Sequence, residues 1–149
     1  MQDLKILNTR QRKEIYKFLE KQFGYEGKID AVFLESPKGK IYLLSKDYEY
    51  LELKGLRVNN KGMYFVKREA GGFRLSIEGT QVIKPKKNII DLTKEETHMW
   101  MMGEDIPKEG SVGYVIVRYK KDILGCTIQK DDNIRNMVAK ERRLHSITE

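Results

Sequence analysis

The sequence predicts an α+β fold in two modules: a small α/β module over residues 1–88, followed by a β-rich, barrel-like module over residues 89–149. Three observations carry this reading. An amphipathic segment with a capping box opens the chain, and apolar runs separated by Gly, Pro, Asn and Lys turns recur after it. Between the two halves, Lys84-Pro85-Lys86-Lys87-Asn88 is basic, contains proline and has no apolar periodicity, which marks a linker.

The first element is a helix from about Thr9 to Gln22. Asn8 followed three residues later by Gln11 is a capping-box spacing, and Ile15, Phe18, Leu19 and Phe23 fall on one face. Gly24 suits the left-handed position that ends a helix. IDAVFLES and IYLLS then read as strands joined by the turn-prone Pro37-Lys38-Gly39-Lys40, a hairpin. Asp47 is placed to cap a short helix through Leu53. LRV, an Asn59-Asn60-Lys61-Gly62 turn and MYFVKRE read as a second hairpin. Gly71-Gly72 turns the chain into FRLSI, and Ser76 to Ile83 reads as a short helix. In the second module IIDL is a short strand, and Thr93 with Glu96 is a second capping box opening a helix to about Met102, stopped by Gly103. Val112 to Tyr119 and Ile123 to Gln129 are strands about a Lys120-Lys121-Asp122 turn. One more short strand is expected around Arg142 to Ser146. No period of 20 to 50 residues repeats, which excludes a solenoid.

Composition narrows the function classes. The chain has 149 residues, 40% hydrophobic and 34% charged, with 12 Gly and 3 Pro, so disordered and collagen-like classes drop out. No apolar stretch approaches the roughly 20 residues of a membrane helix. The amino terminus lacks the apolar segment of a signal peptide, and one cysteine makes no internal disulfide, so the cytoplasm is the expected compartment. One cysteine and two histidines, His98 and His145, do not make a structural zinc site. No phosphate-binding GxxxxGK[ST] loop occurs, and no GxGxxG follows a strand. Binding is therefore expected over catalysis, with no cofactor and no metal.

From Met102 to Arg143 the residues run MGEDI, GYVIVRY, LGCTI and NIRNMVAKERRL. This order resembles the C-terminal PUA-like region of the Sun/Fmu (Nop-type) RNA cytosine-5 methyltransferases. There, a helix ending in a Gly-Glu-Asp-type loop precedes a GYVLV-like strand, a turn, a Leu-Gly strand and a segment with Asn, Pro-Lys and Arg. LKGLRV, Gly62 and Lys67 to Phe73 resemble the segment that precedes that domain, so the likeness spans about residues 30–149. Two positions depart from it: Cys126-Thr127 stand where the family continues with Trp-Gly, and Ala139 stands where it has proline. The family's methyltransferase domain has no counterpart in these residues. Its two catalytic cysteines, in Pro-Cys and Thr-Cys settings, are unmatched, since Cys126 follows Gly125 and no second cysteine occurs.

The resemblance implies a non-catalytic protein with a PUA-like β-barrel that binds structured RNA, with ribosomal RNA in ribosome biogenesis or RNA modification as the expected setting. The layout is similar to small archaeal and eukaryotic ribosome-biogenesis proteins. Neither DNA nor a membrane is an expected partner. The alternative is a protein–protein adaptor for a separate RNA methyltransferase or pre-ribosomal particle, motivated by the apolar run Met99-Trp100-Met101-Met102.

The expected RNA-binding residues are Lys84, Lys86, Lys87, Gly103, Arg118, Lys120, Lys121, Lys130, Arg135, Lys140, Arg142 and Arg143, because clustered Lys and Arg neutralise phosphates and release counterions. The Arg10 to Lys13 cluster, on an ordinary half-basic helix, is read as a solvated face. Trp100, Tyr114 and Tyr119 offer stacking surfaces for unpaired bases if exposed; for Trp100, packing between the modules is the favoured alternative. Asp131-Asp132 reads as a turn and Cys126 as a small buried hydrophobe. His98 and His145 are unassigned. Residues 1–88 hold 19 Lys and Arg against 11 Asp and Glu, a net +8, whereas residues 89–149 hold 10 against 11, a net −1. This predicts an oriented footprint across the linker, the 118–121 turn and the 140–143 strand.

Overall fold

A computed structural model of the chain describes residues 4–45, 62–110 and 112–138. The chain divides into two compact units, residues 1–86 and 87–149. Among the described residues no helix is long and apolar enough to cross a membrane.

The first unit contains strand β1 (Lys5–Ile6), helix α1 (Thr9–Phe23), strands β2 (Ala31–Glu35), β3 (Lys40–Ser45), β4 (Met63–Glu69) and β5 (Gly72–Leu75), and helix α2 (Ile77–Ile83). Its five strands form one sheet in chain order, with every neighbouring pair antiparallel. Among the described residues the unit is therefore arranged as α+β, with antiparallel neighbours in chain order and no helical crossover between parallel strands, and the expected α/β arrangement is not seen.

Helix α1 begins as its sequence dictates. The Asn8 side chain accepts from the Gln11 amide and the Gln11 side chain accepts from the Asn8 amide, both at 2.9 Å. Gly24 ends it at φ 74°, in the left-handed region. Ile15, Leu19 and Phe23 are fully buried. Around them an edge-to-face aromatic network links Tyr16 to Phe33, Phe33 to Phe65 and Phe18 to Phe73, at centroid separations of 5.9, 6.0 and 5.5 Å. Gly72 is required where Phe18 crosses β5, because a Cβ there would run into the Phe18 ring. The opposite face of the sheet is also apolar, with Val32, Leu34, Tyr42 and Leu44 in a second buried cluster. Burial on both faces explains why β2 and β3 read as continuous apolar runs without polar alternation.

One pairing was not signalled by the sequence. MYFVKRE forms β4, which pairs with β3 on one side and β5 on the other among the described residues. LRV itself, the Asp47 helix and the 142–146 strand lie outside the described residues. The 76–83 helix forms, with the Ser76 hydroxyl accepting from the Gly79 amide at 2.8 Å.

The second unit contains strand β6 (Ile89–Asp91), helix α3 (Lys94–Met101), and strands β7 (Ile106–Pro107), β8 (Gly113–Tyr119), β9 (Asp122–Lys130) and β10 (Asn133–Ile134). The sheet order is β6-β8-β9-β10-β7, with β6 parallel to β8 and the remaining pairs antiparallel. The short strands β7 and β10 are not signalled by hydrophobic pattern, since two residues show no period. Among the described residues the sheet is a curled half-barrel. Lys108, just after edge strand β7, donates from Nζ to the Asp91 carbonyl of the other edge strand, β6, at 2.9 Å, and to the Glu96 carboxylate on α3 at 2.8 Å.

Helix α3 carries its capping box as expected, Thr93 accepting from the Glu96 amide and Glu96 from the Thr93 amide. Trp100 is 2% exposed and packs with Leu92, Ile106, Val117 and Ile134. It is thus a core residue of its own unit and not an exposed stacking platform. Tyr114 is likewise buried on β8, and Cys126 is buried on β9.

Candidate nucleic-acid interface

The β8–β9 hairpin fixes where the second unit's cations stand. Its turn holds Lys120 at φ 54°, and both Lys120 and Lys121 are exposed. The Lys120 ammonium sits 5.4 Å above the Tyr119 ring, which keeps the ring beside a cation. At the other end of the hairpin, Lys130 closes β9 opposite Asn133, followed by Asp131 and Asp132 in a left-handed turn at φ 54° and 56°. Lys87 precedes β6 at this same end, because the Asn88 carbonyl accepts from the Ile116 amide and β6 runs parallel to β8. Lys121 and Lys130 stand nine positions apart, about 30 Å at the rise of an extended strand. The exposed cations therefore form two poles at the ends of one hairpin.

Arg118 is placed differently. Its guanidinium grips the Asp91 carboxylate with two bonds, of 2.7 and 3.0 Å, across the parallel β6–β8 pair. Hydrogen bonding to Asp91 raises the Arg118 pKa, and the same bond holds the Asp91 carboxyl below its ordinary value. The fork that would clasp a phosphate is already filled. Gly103 has φ 92°, and its amide donates to the Trp100 carbonyl at 3.0 Å, so it ends the helix and does not present a free donor.

The loop after it is structural as well. Asp105 accepts from the Asn136 amide at 2.7 Å and from the Asn133 side chain at 3.2 Å. The Asn136 side chain donates to the carbonyls of Trp100 and Glu104, at 2.8 and 2.9 Å, and accepts from the Val138 amide at 2.8 Å. The acidic loop thus fixes the segment that precedes the Lys140–Arg143 cluster in sequence. Sequence reasoning missed Asn133, Asn136 and Lys108, because their roles depend on partners 12 to 36 residues away. Arg135 is exposed, with its backbone amide bonded to Ile128.

Lys108 and Glu96 complete the electrostatics. Burial pushes the Glu96 carboxyl up, but hydrogen bonds from Lys108 and from the Thr93 amide, with the Lys108 charge, outweigh it and leave the carboxyl below its ordinary value. Among the remaining expected contacts, Lys84 and Lys86 are exposed in the first unit, whereas Lys140, Arg142 and Arg143 lie outside the described residues, as does His145.

A search of curated proteins finds no match to the chain. Residues 87–144 match the family model described as "Methyltransferase RsmF PUA domain", so the second unit is similar to a PUA domain of that kind.

Proposed function

We propose that the protein binds structured RNA, positioning it through phosphate contacts without chemistry of its own, in the cytoplasm and in the service of ribosome biogenesis or RNA modification. The observation that carries this reading is the PUA domain match over residues 87–144, which suggests RNA binding. The exposed cations at the two ends of the β8–β9 hairpin are consistent with it. Phosphate contacts of this kind fix register and orientation and carry little sequence information. The specificity expected is for RNA shape.

The adaptor alternative rested on the apolar run at 99–102. With Trp100 in the core and Met99 and Met101 packed against it, that run presents Met102, 39% exposed, as its outward apolar side chain. This is too little apolar surface to favour a protein partner over RNA. Fluorescence titration of a labelled hairpin RNA with the full chain at several salt concentrations tests the proposal. Submicromolar affinity falling steeply with salt supports it. Binding no tighter than about micromolar at low salt, or independent of salt, refutes it.

A further inference from the structure

Helix α1 places Arg10, Lys13, Lys17 and Lys21 at spacings of three, four and four residues. At 3.6 residues per turn these four side chains fall within about 80° of arc and extend over about 16 Å. All four are exposed, and among the described residues none makes an ion pair or side-chain hydrogen bond. The acids beside the stripe do not neutralise it: Glu14 is taken by Arg68 at 3.1 Å, and Glu20 is the remaining exposed carboxylate on the helix. The Lys86 amide donates to the Phe23 carbonyl at 2.8 Å, which brings exposed Lys84 and Lys86 to the same end of α1 as Lys21.

The first turn supplies an independent observation. It contains no acid, and Arg10 and Arg12 stand there instead. Cations in the first turn oppose the helix dipole, whereas acids there complement it. A face that served solubility alone would be served equally by glutamate, which would also stabilise the helix. Positive charge is kept where the fold's own electrostatics disfavour it.

We propose, resting on the RNA-binding reading above, that the first unit carries its own phosphate-docking rail along α1, continued by Lys84 and Lys86, for the RNA backbone. The rail is long enough to meet several successive phosphates of one strand. A membrane surface fits the geometry less well. Interfacial helices insert their apolar face, and here Ile15, Leu19 and Phe23 on that face are fully buried inside the unit.

The test uses the full chain, a labelled hairpin RNA, and salt varied between about 50 and 200 mM. Replacing three lysines together (Lys13→Gln, Lys17→Gln, Lys21→Gln) is expected to make the log–log salt slope shallower by about 2 and to weaken binding about tenfold or more. Arg10→Glu is expected to weaken RNA binding while leaving thermal unfolding, followed by circular dichroism, unchanged or shifted upward. A merely structural role for Arg10 would move both readouts downward together. Wild-type binding that the variants leave unchanged in affinity and slope overturns the rail alone. No binding by the wild type overturns the proposed function, and the rail with it. RNA binding unchanged alongside lost affinity for phosphatidylserine vesicles assigns the stripe to membranes and also overturns the rail.

Discussion

Lys108→Met should loosen the half-barrel by a measurable and pH-dependent amount. Methionine keeps most of the aliphatic stem but loses the two bonds by which Lys108 joins β7 to β6 and α3, at 2.9 Å to the Asp91 carbonyl and 2.8 Å to Glu96. The pair is partly sheltered, with side chains 29% and 21% exposed. Its strength therefore lies between an exposed ion pair, about 0.2–1 kcal/mol, and a buried charge-assisted bond, about 1.5–3 kcal/mol, so the expected loss is about 1–2 kcal/mol. For a unit of this size each kcal/mol lowers the unfolding midpoint by about 4–8 °C. The assay is fluorescence of Trp100, the chain's single tryptophan, which is buried in this unit's core and so reports its unfolding directly.

The pH dependence has a definite sign. The folded-state pKa of Glu96 is lowered, so the stabilisation is present above the ordinary glutamate pKa, about 4.3, and is lost as the pH falls through the lower folded value. The gap between wild type and Lys108→Met should therefore be full at neutral pH and narrow below about pH 4. The bond to the Asp91 carbonyl does not titrate and should persist. A variant as stable as wild type at neutral pH, or a gap that widens in acid, would refute the argument that Lys108 joins the two edges of the sheet.

Two further perturbations separate packing from electrostatics. Gly72→Ala forces the Phe18 ring off β5 and should cost about 1–3 kcal/mol of first-unit stability by denaturant titration. Combining it with Phe18→Ala should cost less than the two single changes added, since the clash is then gone. Asp91→Asn releases the Arg118 fork and should tighten RNA binding while steepening its salt dependence by up to about one contact's worth, about 0.7–0.9 in log–log slope, in the same fluorescence titration. Weaker binding in that variant would mean that the Arg118–Asp91 pair itself presents the surface RNA recognises.

Local signals were legible where they act over one helical turn or one hairpin. The Asn8–Gln11 and Thr93–Glu96 boxes, Gly24 as a helix stop, and the Lys120-Lys121 turn all follow from neighbours in sequence. What depends on distant partners was not legible. The pairing of β4 with β3 follows from sheet assembly across a long intervening segment, and the two-residue strands β1, β7 and β10 exist because a neighbour supplies hydrogen bonds, not because of a pattern of their own. Trp100 illustrates the same limit. A run of four large apolar residues reads as more than one face can bury until the helix is set on the sheet and Trp100 turns into the core of its own unit. At the candidate interface, sequence identified cations but not their availability: Arg118 and Lys120 are near neighbours in sequence, yet one is held by a carboxylate and the other stands over an aromatic ring. The α1 stripe is the complementary case. The spacing of its basic residues and their place in the first turn follow from the sequence, but their exposure and freedom from partners emerge only from the folded unit.

The central claim is that this chain holds RNA through its charged surface. Its most direct test is the salt dependence of wild-type binding to a hairpin RNA, plotted as the logarithm of affinity against the logarithm of salt. Several phosphate contacts predict submicromolar binding at low salt and a linear decline with slope of about −3 or steeper. A flat line, or binding no tighter than about micromolar at low salt, would contradict the account.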